Sequence, residues 1–471
     1  MNWILFIPEL SVLISAGIFL LLACLRPDPR RDYNIALVLA AVVVISAAAC
    51  IPMKGVLFSN TYRVDLFSQA FKACLGMGFF LIICLCGELN GIATRRHGEF
   101  YGLLALSTLA MMLLVSSTHL LAVYLSLELS SYSLYVMVFM RRESHWGMHA
   151  GMRYFLVGIC ASAVMLFGLA LIYGGTGLMH LDALAQAMPA VLHQPVVAAG
   201  VLLTLGGFLF KLAVFPFHFW APEAYEGAPN QVTAFIATAS KVAAVAVFVR
   251  VTAPFHGMSD LLAKGLITLA IVSMTAGNLA AIVQKDFKRL MAFSSIAQAG
   301  YLMIGILCMT PAGYAGASFY VVAVLAMKFT CFMVMIKVAA DGRNLRVDEL
   351  AGLHRRAPLL AMALMMALFG LAGIPPTIGF TGKLLIFKAA IDKGYLFLVI
   401  IAMVNVVISL YYYLLVLKAA YLDEPPAEQP ALALSLPSRV LAVAMITFIV
   451  AVGFYPTTLI NFVYAAAQGL P

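Results

Sequence analysis

Residues 196–221 read VVAAGVLLTLGGFLFKLAVFPFHFWA, a run long enough as helix to cross the core of a bilayer, which takes about 20 apolar residues. Lys211 and Pro216 interrupt it. An ionisable group at the centre of a spanning helix costs roughly 2.5–3.5 kcal/mol on insertion scales, so a lysine kept there points to a partner, a wet cavity or a task. The proline removes the backbone bond to Leu212 and predicts a kink beside the lysine. A second stretch, GIPPTIGFTGK at 373–383, repeats the theme with two prolines and three glycines next to Lys383. Non-helical backbone at membrane depth is tolerated only where it is buried or faces a water-filled cavity.

The rest of the chain is built from the same material. It is 64% hydrophobic and only 10% charged, with a mean hydropathy of +1.02, far outside the range of a soluble domain. Fourteen apolar runs are predicted to span, near 3–25, 33–53, 66–86, 100–117, 119–140, 152–174, 196–221, 231–251, 263–283, 291–309, 315–338, 358–391, 395–420 and 438–464. They are continuous rather than alternating, which predicts an all-α polytopic protein and excludes a barrel. The first run reads as a span and not a cleavable signal, because it lacks a basic start and carries Glu9.

Loop cations set the expected topology. The clusters Arg30, Arg31, Arg95, Arg96, Arg141, Arg142, Lys285, Lys288, Arg289, Arg343, Arg346, Arg355 and Arg356 fall on one side, which predicts a cytoplasmic face there and both termini outside. The net charge of +9 thus reports topology and attraction to anionic lipid, with no support for nucleic acid binding. The eight cysteines lie almost wholly in apolar runs and form no CxxC pair, so Cys84 and Cys86 read as packing residues. No pattern for a nucleotide, haem, flavin or iron–sulfur cluster is present. Any electrons travel elsewhere.

Paired interrupted helices in two halves of a membrane protein point to inverted repeats. Met152-Arg153-Tyr154-Phe155 and Met327-Lys328-Phe329 add a fainter echo. The expected organisation is 1–98 for spans 1–3, 99–252 for a first repeat of spans 4–8, 253–420 for a second, inverted repeat of spans 9–13, and 421–471 for a loop and span 14.

Glu128, Arg153, Lys211, Lys241, Lys328 and Lys383 lie within spans, with Lys72 near a span end. Moving a proton against about 150 mV takes roughly 3.5 kcal/mol. A buried lysine beside a switchable carboxylate covers such a swing, because burial and the carboxylate act on its proton in opposite directions. Arginine does not, since it stays protonated. Lys211, Lys241 and Lys383 are therefore candidate proton carriers and Glu128, the one carboxylate read as deep in a span, the candidate partner that tunes one of them. The plainer reading of each is a structural ion pair or a snorkelling chain. Arg153 reads as a fixed charge that biases Glu128 or ends a helix near the cytoplasmic surface. Lys72 reads as snorkelling. Lys328 stands between a relay member and a structural charge facing lipid or protein, and His218 between a relay and a hydrogen bond at the helix end. The cations in the spans would repel Na⁺, which favours H⁺ as the ion.

These residues resemble the antiporter-like, proton-translocating membrane subunits of respiratory complex I, the subunit N family of bacterial NADH-quinone oxidoreductase. The resemblance lies in GFLFKLAVFPFHFWAPEAYEGAPNQVTAF from Gly207 to Phe235, with YEGAP setting it apart from sister pumps, and in Ala239-Ser240-Lys241. It continues in QKDFKRLMAFSSIAQAGYLMIG from Gln284, in LAGIPPTIGFTGK from Leu371 and in LAVYLSLELSSYSLYV around Glu128. It implies two inverted five-helix repeats, each with a discontinuous helix and a half-channel. Glu128 then matches the fifth-span glutamate, Lys211 and Lys383 the broken-helix lysines, and Lys241 the connecting lysine.

Three positions depart from the family: Arg153 stands for a lysine, Gln298 for a histidine and Lys328 for a neutral asparagine. The implied function is proton translocation driven by quinone reduction elsewhere in the complex. Quinone, flavin and iron–sulfur clusters would sit in partner subunits, and the chain in a bacterial inner membrane. The alternative is a subunit of a multi-subunit cation/proton antiporter or a membrane-bound hydrogenase.

Overall fold

Thirteen helices among the described residues are long and apolar enough to cross a membrane. They are seen in a computed structural model that describes residues 3–141, 145–254, 260–425 and 431–470. Arg142, one of the expected loop cations, lies outside them. The chain divides into two compact units, Met1–Leu262 with Ala465–Pro471, and Ala263–Tyr464.

The first unit contains α1 (Ile7–Ala23), α2 (Pro29–Ala49), a hairpin of β1 (Gly55–Leu57) and β2 (Tyr62–Val64), α3 (Leu66–Cys84), α4 (His97–Ser116) and α5 (Leu120–Val138). These are followed by α6 (His145–Thr176), α7 (Leu181–Val191), α8 (Pro195–Leu212), α9 (Trp220–Gly227), α10 (Asn230–Ala237) and α11 (Ala239–Thr252). The stretch from Asn230 to Val251 is buried throughout, whereas α2 and most of α6 present apolar side chains outward. Helices α6 and α8 approach so closely that a Cβ on Gly168 would lie 2.7 Å from the Gly200 carbonyl oxygen, the small-residue contact that lets helices pack in lipid.

The second unit takes in α12 (Asp260–Ile282), which opens at its boundary, then α13 (Phe287–Leu307), α14 (Pro311–Val338), α15 (Leu353–Arg356) and α16 (Pro358–Ala372). It continues with α17 (Ile378–Asp392), α18 (Leu396–Tyr421), α19 (Leu436–Phe454) and most of α20 (Thr457–Gln468). Here α13 and α14 are the buried pair.

Several expected spans divide. The run 358–391 is two 15-residue helices, α16 and α17, separated at 373–377. The run 438–464 breaks before Pro456, which cannot donate to the helix ladder. The run 231–251 breaks at Thr238, whose φ of −117° and ψ of −88° leave the helical region.

The Pro216 region is a stop rather than the expected kink. Helix α8 ends at Leu212, and Ala213 turns left-handed at φ +61°. Val214 N then donates to the Leu209 carbonyl at 2.9 Å and Ala213 N to that of Phe210 at 2.9 Å. Helix α16 ends in the same way, with Gly373 at φ +87°, Ile374 N donating to the Phe369 carbonyl at 2.9 Å and Gly373 N to that of Gly370 at 3.0 Å. Both are Schellman closures, which satisfy some terminal carbonyls and leave others for side chains.

Candidate functional site

Helix α8 delivers Lys211 to its own C-terminal turn, where the side chain is 1% exposed. Its Nζ donates to the hydroxyls of Ser131 at 2.8 Å and Ser130 at 3.1 Å on α5. Those serines donate their own hydroxyl hydrogen bonds to the Leu127 carbonyl, so their lone pairs face the amine. Glu128 lies between them and Leu127 in sequence, buried, and accepts from Ser162 Oγ of α6 at 2.5 Å through Oε1. Its Oε2 has no hydrogen-bond partner. Glu128 and Lys211 act on one another electrostatically, with hydroxyls rather than a direct ion pair at each.

Two carbonyls of the last turn of α8 accept from side chains, that of Phe210 in addition to its bond from Ala213 N. Trp220 Nε1 donates to that of Phe210 at 3.0 Å. Lys241 Nζ donates to that of Lys211 at 3.0 Å and lies 5.0 Å from the Trp220 ring centroid. Lys241 reaches it because α10 ends at Thr238 and α11 restarts. A helix C-terminus carries a partial negative charge, which favours a buried ammonium there, and the indole face adds attraction.

The second unit repeats this chemistry with other residues. Lys383 Nζ, on α17, donates to the terminal carbonyls of α16 at Leu371 (2.8 Å) and Ala372 (3.1 Å), and lies 4.7 Å from the Tyr301 ring centroid. Lys328 is fully buried on α14 and donates to Ser294 Oγ at 2.7 Å and to the Met291 carbonyl at 2.8 Å. Ser294 Oγ is 2.5 Å from Tyr413 OH. Gln298 Nε2 reaches Tyr413 OH at 3.4 Å and the Leu371 carbonyl at 3.3 Å, and Tyr320 OH donates to its Oε1. Lys328, Ser294, Tyr413, Gln298, the Leu371 carbonyl and Lys383 thus form one unbroken hydrogen-bonded string.

Gln298 occupies the position where the resemblance implied a histidine, and two tyrosines take up the bridge. Lys328 faces protein and not lipid. His218 sits half-buried in the turn after α8, stacked on Phe215 and tilted against Phe219, with no hydrogen-bond partner for Nδ1 among the described residues.

Three expectations are corrected. Arg153 is two-thirds exposed and pairs with Glu223, so it does not bias Glu128; Ser162 further along α6 is what meets that carboxylate. Lys72 does not snorkel: it is 0% exposed and pairs with Glu9 at 2.9 Å. Glu128 is accordingly not the sole carboxylate inside a span, since Glu9 is fully buried too.

Sequence reasoning missed Ser130, Ser131, Ser162, Ser294, Tyr320, Tyr413 and Trp220 as partners. The clustered serines of LSLELSSYS at 125–133 were the available signal, since hydroxyls are costly in an apolar helix unless they pair.

Residues 117–409 match the family described as NADH:quinone oxidoreductase/Mrp antiporter, transmembrane. The NADH-quinone oxidoreductase subunit N 2 of Syntrophobacter fumaroxidans is 58% identical over 471 residues, 100% of both chains. That of Opitutus terrae is 40% identical over 98% of this chain and 97% of its own. Among solved structures, a chain of respiratory complex I from Thermus thermophilus superposes with a TM-score of 0.84 at 31% identity, covering 96% of this chain and 98% of that one. A chain of the Mrp complex from Dietzia sp. superposes with a TM-score of 0.88 at 22% identity, covering 100% and 98%, and speaks for the fold alone.

Proposed function

Because the chain belongs to the NADH:quinone oxidoreductase/Mrp antiporter family, and within it groups with the subunit N proteins, we propose that it moves protons across the membrane within an NADH-quinone oxidoreductase. It is a multi-pass membrane subunit of a multi-subunit complex. Lys211, Lys241, Lys328 and Lys383 carry the protons, Glu128 answers Lys211, and Gln298 orients the tyrosines of the second unit. Arg153 is a fixed surface charge and His218 an accessory group.

The observation that carries this reading is the setting of the amines. Each is buried, and among the described residues Lys211, Lys328 and Lys383 are held by hydroxyls or main-chain carbonyls rather than locked to a carboxylate, while Lys241 donates to the Lys211 carbonyl. A carbonyl oxygen holds an ammonium but does not take its proton. To discharge, the amine turns to a hydroxyl or to water, which Ser130 and Ser131 offer Lys211 and Ser294 offers Lys328. A salt-bridged lysine would first have to break its pair.

The matching closures after Leu212 and Ala372 support a reading of 99–252 and 253–420 as two inverted repeats, each built around its broken helix. The chain itself carries out no redox step in this account. Quinone, flavin and iron–sulfur chemistry belongs to partner subunits, and the loop cations favour a bacterial inner membrane with both termini outside.

Proton uptake by the reconstituted complex tests this. Lys211→Ala and Lys241→Ala should each lower protons moved per electron, and ²²Na⁺ should not move. Normal uptake in both variants would point to a scaffold, and coupled ²²Na⁺ flux to an antiporter.

A further inference from the structure

The first unit holds a second buried charge cluster that the lysines of α8 and α11 do not need. Glu9 of α1 and Lys72 of α3 are both 0% exposed and pair at 2.9 Å through Glu9 Oε1. Tyr62 OH, on the hairpin strand β2, donates to the same oxygen at 2.5 Å. Its ring lies 5.0 Å from Lys72 Nζ. Glu9 Oε2 is buried with no hydrogen-bond partner among the described residues. Beside them Arg250 of α11 grips Asp65 with two bonds, at 2.8 and 2.9 Å, and Cys50 is near enough to feel both Glu9 and Lys72.

A pair kept only to tie α1 to α3 would have both carboxylate oxygens satisfied, since an orphaned buried acceptor is costly. Here Lys72 and Tyr62 crowd onto Oε1 and leave Oε2 bare. Arg250 cannot release a proton, and Lys72 and Tyr62 both point theirs at Oε1. Oε2 is therefore the open acceptor of this cluster. Beyond Tyr62 lies the hairpin turn, where Phe58, itself 39% exposed, stacks edge-on against Tyr62 at 6.1 Å. Phe58, Ser59 and Asn60 all adopt positive φ, a conformation non-glycine residues hold at a cost.

We propose that Glu9, Lys72 and Tyr62 form a proton-exchange site at the hairpin end of the first unit, in which Glu9 Oε2 binds a proton from water and returns it. An O–H bond forms on Oε2 as one breaks on a hydrated proton, H₃O⁺, which is left as neutral water, and release reverses both. Tyr62 and the hairpin separate the site from bulk water. The inference rests on the proton-translocating reading and adds a station outside the lysine sites.

The test uses the whole complex in proteoliposomes, with protons moved per electron as readout. Glu9→Gln keeps the side chain's shape and both contacts on Oε1, and Glu9→Gln/Lys72→Met removes the pair without stranding a charge. Both should move fewer protons per electron than wild type. A wild-type ratio in either assembled variant overturns the proposal, including the case in which only the double variant assembles and pumps normally.

Should neither variant assemble, wild-type complex treated during turnover with a membrane-permeant carbodiimide, which labels protonated carboxyls in apolar surroundings, decides. An adduct on Glu9 by mass spectrometry supports the site, and its absence overturns it. Lys211→Ala in the same assay keeps the two ideas apart: if it too pumps normally, the parent reading fails, whereas a loss there with normal Glu9 variants removes this site alone.

Discussion

Lys241 Nζ donates to the main-chain carbonyl of Lys211 at 3.0 Å, so one lysine closes the helix that carries the other. The contact couples the two amines through backbone. Lys241→Gln should leave the complex assembled, because an amide can still donate to that carbonyl, yet lower the protons moved per electron. Quinone reduction and acidification measured together on reconstituted complex check this.

The left-handed residues after α8 and α16 give a paired expectation. Ala213→Gly relieves a conformation that costs an L residue about 1–2 kcal/mol, and should raise the unfolding temperature of the complex without changing transport. Gly373→Ala does the reverse. Its Cβ would meet Lys383 Cδ at 3.0 Å and Nζ at 3.5 Å on a backbone at φ +87°, so both thermal stability and proton transport should fall.

In the second unit the string from Lys328 to Lys383 passes through one phenol. Tyr413→Phe keeps the ring and deletes the hydroxyl shared by Ser294 and Gln298. Losing these contacts should cost roughly 0.5–1.5 kcal/mol per bond, a small change in melting, together with slower proton transfer. Lys328→Asn should lower the proton-to-electron ratio as well. An unchanged ratio in Lys328→Asn would remove Lys328 from the path.

Asp65, just outside α3, gives the pH dependence. Burial raises its proton affinity, but Arg250 and the Ser68 backbone N–H outweigh that and hold the carboxyl below its usual value. Its stabilising contribution is therefore complete above the ordinary aspartate pKa of about 3.9 and is lost as pH falls through the lowered one. Asp65→Asn, which strands the buried Arg250, should destabilise the complex at neutral pH by on the order of 3 kcal/mol. The gap to wild type should close below about pH 4, as read by melting curves across pH.

What the sequence disclosed followed from local chemistry. Pro216 and the Gly373–Pro376 run announced their interruptions because each residue limits its own backbone. Thr238 gave no such warning, since threonine does not limit its own backbone as proline or glycine does, and its break lies in a buried stretch. Glu128, Lys211, Lys241, Lys328 and Lys383 stood out as charges in apolar runs, and all are buried. Their partners did not, since Ser130 meets Lys211, and Ser294 meets Lys328, only after distant segments pack. Lys72 misled for the same reason: its counter-ion Glu9 lies on another helix, and without it a lysine near a span end reads as snorkelling. Arg153 looked internal because its run is apolar, but it falls on the exposed face of α6.

The most direct measurement is the proton-to-electron ratio of reconstituted complex carrying Lys211→Arg or Lys383→Arg. Arginine preserves the positive charge and can still donate to the neighbouring hydroxyls and carbonyls, but does not release its proton. If these nitrogens are carriers, both variants assemble and move fewer protons for each electron passed to quinone. A wild-type ratio in both would show that only their charge matters, and would contradict the account.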